Sequence, residues 1–312
     1  MIHRAFGRPS LDAVIRPPAE PLEIDACYRY CEALARSRHH NFPVASFFAP
    51  SRLRRHIWAI YAFARCADDF ADEPQYDGRR ALELDRWEEH LLACFHNKPP
   101  SHPVFVALAD TLTRFELPIT PFSNLLSGFR TDLEARRYPT FAELRGLAAL
   151  SAEPVGQLFL YLAGHREPQL LRYAEDLASG LALANFWQGL SVDLARGRVY
   201  VPSEDLGFFG LSTEDLLRPG SEAQATALIR SLVCRTRALF EHARPLIGAV
   251  NDGIAVELAL MWLGGMRILD KIHAAGDSVF RNTPSLSHID KAQVVAKAVV
   301  WRGGSLGRRL LK

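Results

Sequence analysis

Apolar residues recur along most of the chain at the three- and four-residue spacing of amphipathic helices. From Glu23 onward the sequence is rich in Leu, Ala, Arg and Glu, and prolines separate the periodic stretches. The spacing predicts helices at residues 23–37, 50–72, 77–97, 102–116, 119–136, 140–163 with a break at Pro154, 168–196, 221–250, 252–275 and 286–301. Alternating strand patterns are almost absent, so we predict an all-α fold.

No tract in the 312 residues has the composition of a linker between two domains. Fixed-period repeats are also missing, which favours a single large helical domain. We expect a flexible segment at 1–22, the helical domain at 23–285, and a C-terminal helix with a basic tail at 286–312. The first segment lacks the apolar centre of a signal peptide, and no apolar run reaches the length of a membrane span.

Composition and charge narrow the range of functions. Apolar residues make up 48% of the chain and charged residues 23%, as in a globular protein with a large core. The 37 Lys and Arg residues nearly balance the 35 Asp and Glu residues, so we expect no nucleic-acid partner. The five cysteines form no C-x-x-C pair, which favours reduced thiols in a cytoplasmic protein.

One predicted helix carries an acidic motif, Tyr61-Ala-Phe-Ala-Arg65-Cys-Ala-Asp68-Asp69-Phe-Ala-Asp72. Asp68 and Asp72 share a helix face with Arg65, because residues three and four apart are neighbours. Two carboxylates at that spacing repel each other, so a helix that is otherwise apolar needs a counter-charge there. Mg²⁺ bridging to a substrate phosphate would supply it, and a solvated acidic helix end is the alternative.

A second helix carries Asn185-Phe-Trp-Gln188-Gly189-Leu-Ser-Val-Asp193. Asn185, Gly189 and Asp193 lie at four-residue intervals and form one stripe, in which glycine supplies no ligand at the middle position. An asparagine and an aspartate eight residues apart are common in helices. This stripe therefore indicates a metal site only in combination with the first motif.

Two further groups of residues are candidates for a binding site. Asp132 either pairs with Arg136 inside its own helix or contributes to a phosphate site, and the residues leave both readings open. Aromatic side chains could line an apolar pocket and stabilise a carbocation through their π-faces. The candidates are Phe42, Tyr61, Phe63, Phe129, Phe159, Tyr161, Phe186, Trp187, Tyr200 and Trp262, and most of them are expected to be core residues.

Taken in order, these segments resemble the squalene/phytoene synthase family of all-α, head-to-head prenyl transferases over residues 25–275. Residues 61–72 look like the first aspartate-rich motif of that family, and residues 185–202 look like the second. The resemblance implies a single-domain isoprenoid synthase-type bundle with a central apolar cavity, which binds a prenyl diphosphate through Mg²⁺. It implies metal ligands at Asp68, Asp72, Asn185 and Asp193, a further catalytic residue at Tyr61, and substrate contacts at Asn41, Phe42, Arg65, Phe129, Asp132, Gln188, Arg198 and Tyr200.

Within the family, residues 38–46, 185–188 and 268–272 are most similar to the hydroxysqualene synthase branch of bacterial hopanoid biosynthesis. That branch converts presqualene diphosphate and water to hydroxysqualene and diphosphate. Gly189 departs from the family motif, which usually has aspartate at this position. Two alternatives stay open: condensation of two farnesyl diphosphates into presqualene diphosphate, squalene or a carotenoid backbone, and a weakened homologue that assists another prenyl synthase.

The C-terminal end of the sequence is basic. Against Asp290 alone it carries Lys291, Lys297, Arg302, Arg308, Arg309 and Lys312. Peripheral contact with the inner face of an anionic membrane is one interpretation, and a surface helix with a solvated tail is the other. Association with other enzymes of the hopanoid pathway is a further hypothesis, which the resemblance suggests.

Overall fold

The computed structural model describes residues 23–37, 49–96, 98–134, 137–250 and 252–309. In order along the chain, its α-helices are α1 (Ile24–Ser37), α2 (Ser51–Asp72), α3 (Arg80–Phe95), α4 (Pro103–Phe115), α5 (Thr120–Glu134), α6 (Phe141–Ser151), α7 (Glu153–Leu162), α8 (Pro168–Ala195), α9 (Ser203–Phe208), α10 (Glu222–Ala243), α11 (Leu246–Ala249), α12 (Asp252–Ala275) and α13 (His288–Arg309). Short 3-10 helices span Pro74–Tyr76, Glu214–Leu217 and Gly276–Phe280. The described residues include no strand, and the predicted all-α fold is confirmed.

Prolines set most of the helix boundaries. The expected break at Pro154 separates α6 from α7, because proline is favoured in the first turn of a helix but disrupts its interior. The helix expected at 221–250 is interrupted at Arg244-Pro245, which divides it into α10 and α11. At the other end of the chain, α13 continues to Arg309 and includes most of the segment that was expected to be a basic tail.

The buried apolar side chains form two clusters. The first cluster includes Phe63 on α2, Phe105 on α4 and Phe122 on α5. The second includes Trp187 on α8 and Phe240 on α10, together with side chains from α6 and α12. Partly buried Ile57 and Phe115 pack against both clusters. α2 and α5 therefore belong mainly to one cluster and α8 to the other, and these three helices carry most of the predicted site residues.

Phe240 fixes the close packing of α8, α10 and α12. A Cβ atom built on Gly265 would lie 2.3 Å from Cζ of Phe240, and one built on Gly180 would lie 2.9 Å from its Cε2. No side chain fits at either position unless the ring moves. The two glycines thus allow α8 and α12 to enclose the ring, which fixes the position of the long helix α8.

A buried polar network joins α1, α2 and α4. The Tyr28 hydroxyl donates to Asp110 at 2.6 Å, and the Thr111 hydroxyl donates to the Ala107 carbonyl at 2.8 Å. Nδ1 of His56 lies 3.0 Å from the Tyr28 oxygen and 2.9 Å from the Thr111 oxygen. Because both hydroxyl protons are committed elsewhere, His56 donates from Nδ1 in its neutral form. Burial lowers the pKa of His56 to about 4.

The His56 network predicts loss of stability in mild acid. As the pH falls from 6.5 towards about 4, the unfolded chain binds a proton at His56 that the folded chain does not, so the free energy of unfolding decreases. The full effect of this group is about 3 kcal/mol. Urea unfolding at pH 7 and pH 4.5 should show the decrease in the native protein and in the exposed-site control His96→Gln. His56→Gln should lose this part of the pH dependence, and retention of the full native slope would contradict the assignment.

Candidate active site

Three helices carry aspartates in their last turns. Asp72 is the final residue of α2, Asp132 lies in the last turn of α5, and Asp193 lies in the last turn of α8. Within the described chain, none of these last turns contains a basic residue. A carboxylate at a helix C-terminus faces the negative end of the helix dipole and destabilises the helix by about 0.3–1 kcal/mol. The three helix ends therefore need positive charge nearby.

Arg198 supplies part of that charge. Its Nη2 lies 2.8 Å from Oδ1 of Asp72, and its Nη1 lies 3.9 Å from Oδ2 of Asp132. Gly197, with a φ of 74°, ends α8 in the left-handed conformation. The amide of Arg198 then donates back to the Asp193 carbonyl at 2.9 Å, which is the hydrogen bond of a Schellman motif. This turn holds Arg198 next to the ends of all three helices.

Two tyrosines orient Asp132. The hydroxyl of Tyr138 donates to Oδ1 at 3.0 Å, and that of Tyr200 donates to Oδ2 at 3.1 Å. The segments that carry them are joined by a parallel bridge between residues 137 and 199, and the ring of Tyr200 stacks on Phe186 with centroids 4.3 Å apart. Asp132 therefore connects α5 to the segments that carry Tyr138 and Tyr200. Arg136, the partner expected within the same helix, lies outside the described residues.

Arg65 is the second cation of the site. Its two terminal nitrogens contact Asp68 and Asp69, each at 2.5 Å. Asp69 is buried, whereas the side chain of Asp68 is 35% exposed. Arg65 thus joins one inward-facing carboxylate to one that faces the site. No role was predicted for Asp69, although its place one residue after Asp68 turns it about 100° away from the face that Asp68 and Asp72 share.

The carboxylates of the site affect one another's ionisation. Burial, with a contribution from Asp72, raises the pKa of Asp68 to about 6 even though Arg65 acts in the opposite direction. The pKa of Asp193 is raised to about 6 by burial, reinforced by Asp72 and Asp132 and opposed by Arg198. Burial also raises the pKa of Asp132. The two arginines therefore leave this group of four carboxylates, the acidic cluster, short of positive charge.

The acidic cluster fits a cation that arrives together with a phosphate. Among the residues that the structure describes, no group of three or more His, Cys, Asp or Glu side chains is arranged to hold a metal by itself. Mg²⁺ does not need such a cage, because it commonly uses one or two carboxylates with substrate phosphates and water. Burial disfavours the charged forms of Asp68 and Asp193 and raises the pKa of each, so a positive charge placed next to them would favour their ionised forms.

The stripe on α8 has an unexpected feature at its middle position. A Cβ atom built on Gly189 would lie 3.0 Å from Oδ2 of Asp193. The Asp193 carboxylate therefore extends back over Gly189, into the space next to that backbone. Asn185 is exposed on the same helix face. Gly189 thus lacks a ligand of its own but leaves room for the carboxylate of Asp193.

Gln188 lies on a different face of α8, about 140° around the helix from Asp193. It is buried, and its Nε2 donates to the Pro284 carbonyl at 2.7 Å. This hydrogen bond links α8 to the loop before α13. The predicted substrate contact of Gln188 gains no support from this orientation.

The predicted aromatic lining is only partly described. Tyr61 is half-buried on α2, one turn before Arg65, and Phe129 is partly buried on α5 against the first cluster. Asn41 and Phe42 lie outside the described residues. The central apolar cavity stays a prediction. Tyr138, which donates to Asp132 from beyond the end of α5, was not among the predicted site residues.

A sequence profile for the family described as squalene/phytoene synthase matches residues 35–290. The chain belongs to that family. It is 32% identical to a phytoene synthase from Arthrospira platensis over 81% of this chain and 86% of the relative. It is 33% identical to a 15-cis-phytoene synthase from Synechocystis over 85% of this chain and 82% of the relative. The family resemblance predicted from the two motifs is confirmed.

Solved structures agree with this assignment. The squalene synthase HpnC from Alicyclobacillus acidocaldarius is 36% identical, has a TM-score of 0.77, and is matched over 82% of this chain and 97% of its own. A dehydrosqualene synthase solved with a ligand is 26% identical, has a TM-score of 0.82, and is matched over 90% and 98%. The single-domain isoprenoid synthase fold is confirmed, and the chain is a member of a family of enzymes that process prenyl diphosphates.

Replacing Gly189 by alanine should raise the stability of the protein and lower its affinity for metal. Gly189→Ala adds a methyl group in tight contact with Asp193, so the carboxylate must move, while the helix gains about 1 kcal/mol in propensity. We expect higher stability in urea and a several-fold weaker affinity for Mg²⁺ in the presence of inorganic diphosphate, measured by calorimetry. In the control Gly146→Ala on α6, no atom of the described residues beyond the adjacent helix backbone lies within 4 Å of the new Cβ, so this variant should be stabilised without loss of affinity. Equal affinities in both variants would exclude this role for Gly189.

Proposed function

We propose that the chain is a Mg²⁺-dependent enzyme that converts presqualene diphosphate and water to hydroxysqualene and diphosphate. The observation that carries the proposal is the convergence of four carboxylates and two arginines at the ends of α2, α5 and α8. The 36% identity with the squalene synthase HpnC supports a relationship to enzymes that make C30 products. The family membership described above supplies the class of substrate.

In the proposed reaction, the bond between carbon and the diphosphate oxygen breaks, and its electron pair leaves with the diphosphate. A water oxygen then bonds to the rearranged cation and loses a proton, which restores charge balance. Bound Mg²⁺ would neutralise the negative charge that develops on the departing diphosphate. Asp68, Asp72, Asn185 and Asp193 would hold the metal ions, and Tyr61, Asn41 and the released diphosphate are the candidates for accepting the proton.

The arginines would change partners when the substrate binds. In this structure Arg65 contacts Asp68 and Arg198 contacts Asp72, so each arginine neutralises a carboxylate of the first motif. If metal ions take over these carboxylates, both guanidinium groups become available to the diphosphate oxygens. Arginine is well suited to this role because its planar donors match phosphate oxygens. Each arginine would thus have an acidic partner in both states.

Two features of α8 favour a reaction that expels a single diphosphate. Gly189 stands where the family motif usually has aspartate, so the stripe has one carboxylate fewer. The neutral Gln188 is hydrogen-bonded to the loop before α13. Condensation of two prenyl diphosphates requires the enzyme to accommodate two diphosphate groups. Hydration of presqualene diphosphate requires it to accommodate only one diphosphate group. A smaller number of metal ligands on α8 is consistent with binding one such group rather than two.

Separate incubation with each substrate tests the proposal. The purified chain with Mg²⁺ should convert presqualene diphosphate to hydroxysqualene, and in ¹⁸O-labelled water the product should carry one ¹⁸O atom by mass spectrometry. Farnesyl diphosphate alone should give no C30 product. Asp68→Asn combined with Asp72→Asn should lower turnover by at least about a hundredfold, because it removes the anchor for leaving-group stabilisation. Product without ¹⁸O would rule out capture of the cation by water.

Condensation is the main alternative, and the identity of 32–33% with the two phytoene synthases favours it. Consumption of farnesyl diphosphate or its C20 homologue, without turnover of presqualene diphosphate, would establish it instead. Because Gly189 supplies no side-chain ligand, the third hypothesis also stays open, namely that the chain is a catalytically weakened homologue that assists another prenyl synthase. That hypothesis requires no turnover on any prenyl diphosphate and stimulation of a second prenyl synthase.

If the arginines exchange ion pairs as proposed, removing Arg198 should strengthen the binding of Mg²⁺ alone and weaken the binding of the prenyl diphosphate. Arg198→Gln frees Asp72 from its ion pair, so Mg²⁺ alone should bind several-fold more tightly in calorimetry. The same change removes a cation from the diphosphate site, so KM for the prenyl diphosphate should rise about tenfold or more. Arg237→Gln, which removes a surface ion pair with Asp270, serves as the control and should alter neither quantity. Weaker binding of Mg²⁺ alone in Arg198→Gln would contradict the exchange.

A further inference from the structure

The C-terminal helix α13 presents an apolar face to solvent. We call this the outer face, and it consists of Ile289, Ala292, Val295, Ala296, Val299 and Val300. Ile289 and Val300 are 71% and 73% exposed, and they lie eleven residues apart, which is about three helical turns. The outer face therefore extends along the helix as a continuous apolar strip with no charged side chain in it.

The orientation of α13 is fixed by contacts on its opposite side. Ser287 and Asp290 form a capping box, in which the Ser287 amide donates to Asp290 at 2.8 Å and the Asp290 amide donates to the Ser287 hydroxyl at 3.1 Å. Asp290 also pairs with Arg267 at 2.6 Å and with Lys271 at 2.8 Å, both on α12. Three turns later, the ring of Trp301 packs edge-on against Trp262 at 5.5 Å. These contacts at both ends of the strip hold the outer face away from the body.

Positive charge borders the outer face. Lys291 and Lys297 are exposed and lie on opposite edges of the strip. Their acidic neighbour Asp290 is buried and already paired with Arg267 and Lys271, so it does not offset them at the surface. The sequence that follows adds Arg302, Arg308, Arg309 and Lys312 with no acidic residue.

We propose that the outer face of α13 docks on an anionic lipid surface. An apolar strip with basic residues along both edges has the pattern of helices that lie in the membrane interface, with apolar side chains among the lipid tails and lysines at the headgroups. A second copy of the chain fits less well, because an antiparallel pair of such strips would bring like charges together. No described helix is long and apolar enough to cross a bilayer, so the contact is peripheral. This inference does not depend on which prenyl reaction the chain carries out.

Vesicle sedimentation of the full chain tests the proposal. Binding is measured to vesicles of phosphatidylcholine alone and to vesicles that contain 30% phosphatidylglycerol, at low and at physiological salt. We expect binding to the anionic vesicles that weakens with salt and little binding to the neutral ones. Val300→Asp should weaken binding at least about tenfold, because it places a charge on the most exposed large side chain of the apolar strip, at its C-terminal end.

Two matched controls separate the outer face from general surface effects. Leu82→Asp introduces the same charge at a 49% exposed apolar position on α3 and should bind vesicles like the native chain. Lys291→Glu with Lys297→Glu should weaken binding about 25-fold or more, at about fivefold for each lysine. Lys98→Glu with Arg230→Glu changes the net charge equally, at exposed sites outside α13, and should have a much smaller effect.

Three results would overturn the proposal. The first is the absence of binding to anionic vesicles by the native chain. The second is equal weakening by Val300→Asp and Leu82→Asp. The third is a native dimer in analytical ultracentrifugation that Val300→Asp dissociates while vesicle binding is unchanged, which would assign the outer face to a second copy. The circular dichroism of each variant is compared with that of the native chain, so that misfolding is not mistaken for loss of binding.

Discussion

The electrostatic problem at the ends of α2, α5 and α8 determines the organisation of the site. Each helix directs the negative end of its dipole to the same region and adds an aspartate there. The fold holds these ends together through Arg198, which links Asp72 to Asp132, and through the tyrosine hydroxyls that donate to Asp132. A region with this surplus of negative charge reduces stability, and a protein tolerates such a surplus where it serves function.

The same ion pairs stabilise the site without a bound ligand and, in the proposed mechanism, would still let it bind one. Arg65 is largely buried between Asp68 and Asp69, so removing the guanidinium would leave two carboxylates unpaired in a partly dry environment. A complex of a divalent cation with a diphosphate offers both signs of charge at once. It can therefore replace each arginine–aspartate contact by one metal–carboxylate contact and one arginine–phosphate contact. In the proposed mechanism, the arginines would thus have a structural role in one state and a binding role in the other.

Much of the fold was predictable from local pattern, whereas the detail of the site was not. Helical periodicity and proline positions located most of the helices, because both act over a few residues. The two motifs and the family resemblance selected Asp68, Asp72, Asp132, Asp193 and Arg198, which the structure brings together. The contacts of Tyr138 depend on pairing with the segment after α8, and the hydrogen bond from Gln188 to Pro284 spans 96 residues. Such contacts are set by tertiary packing and leave no periodic signal in the sequence.

Helix α8 and the turn that follows it connect the second cluster to the acidic cluster through three glycines. Gly180 allows Phe240 to pack closely against the helix, since a Cβ atom built on this glycine would lie only 2.9 Å from the ring. This contact sets the distance between α8 and α10. Gly189 leaves room for the carboxylate of Asp193, and Gly197 makes the left-handed turn that positions Arg198. Because the helix is rigid between these positions, a shift at Phe240 would move Asp193 and Arg198 together. The core packing around Phe240 is therefore part of what sets the geometry of the acidic cluster.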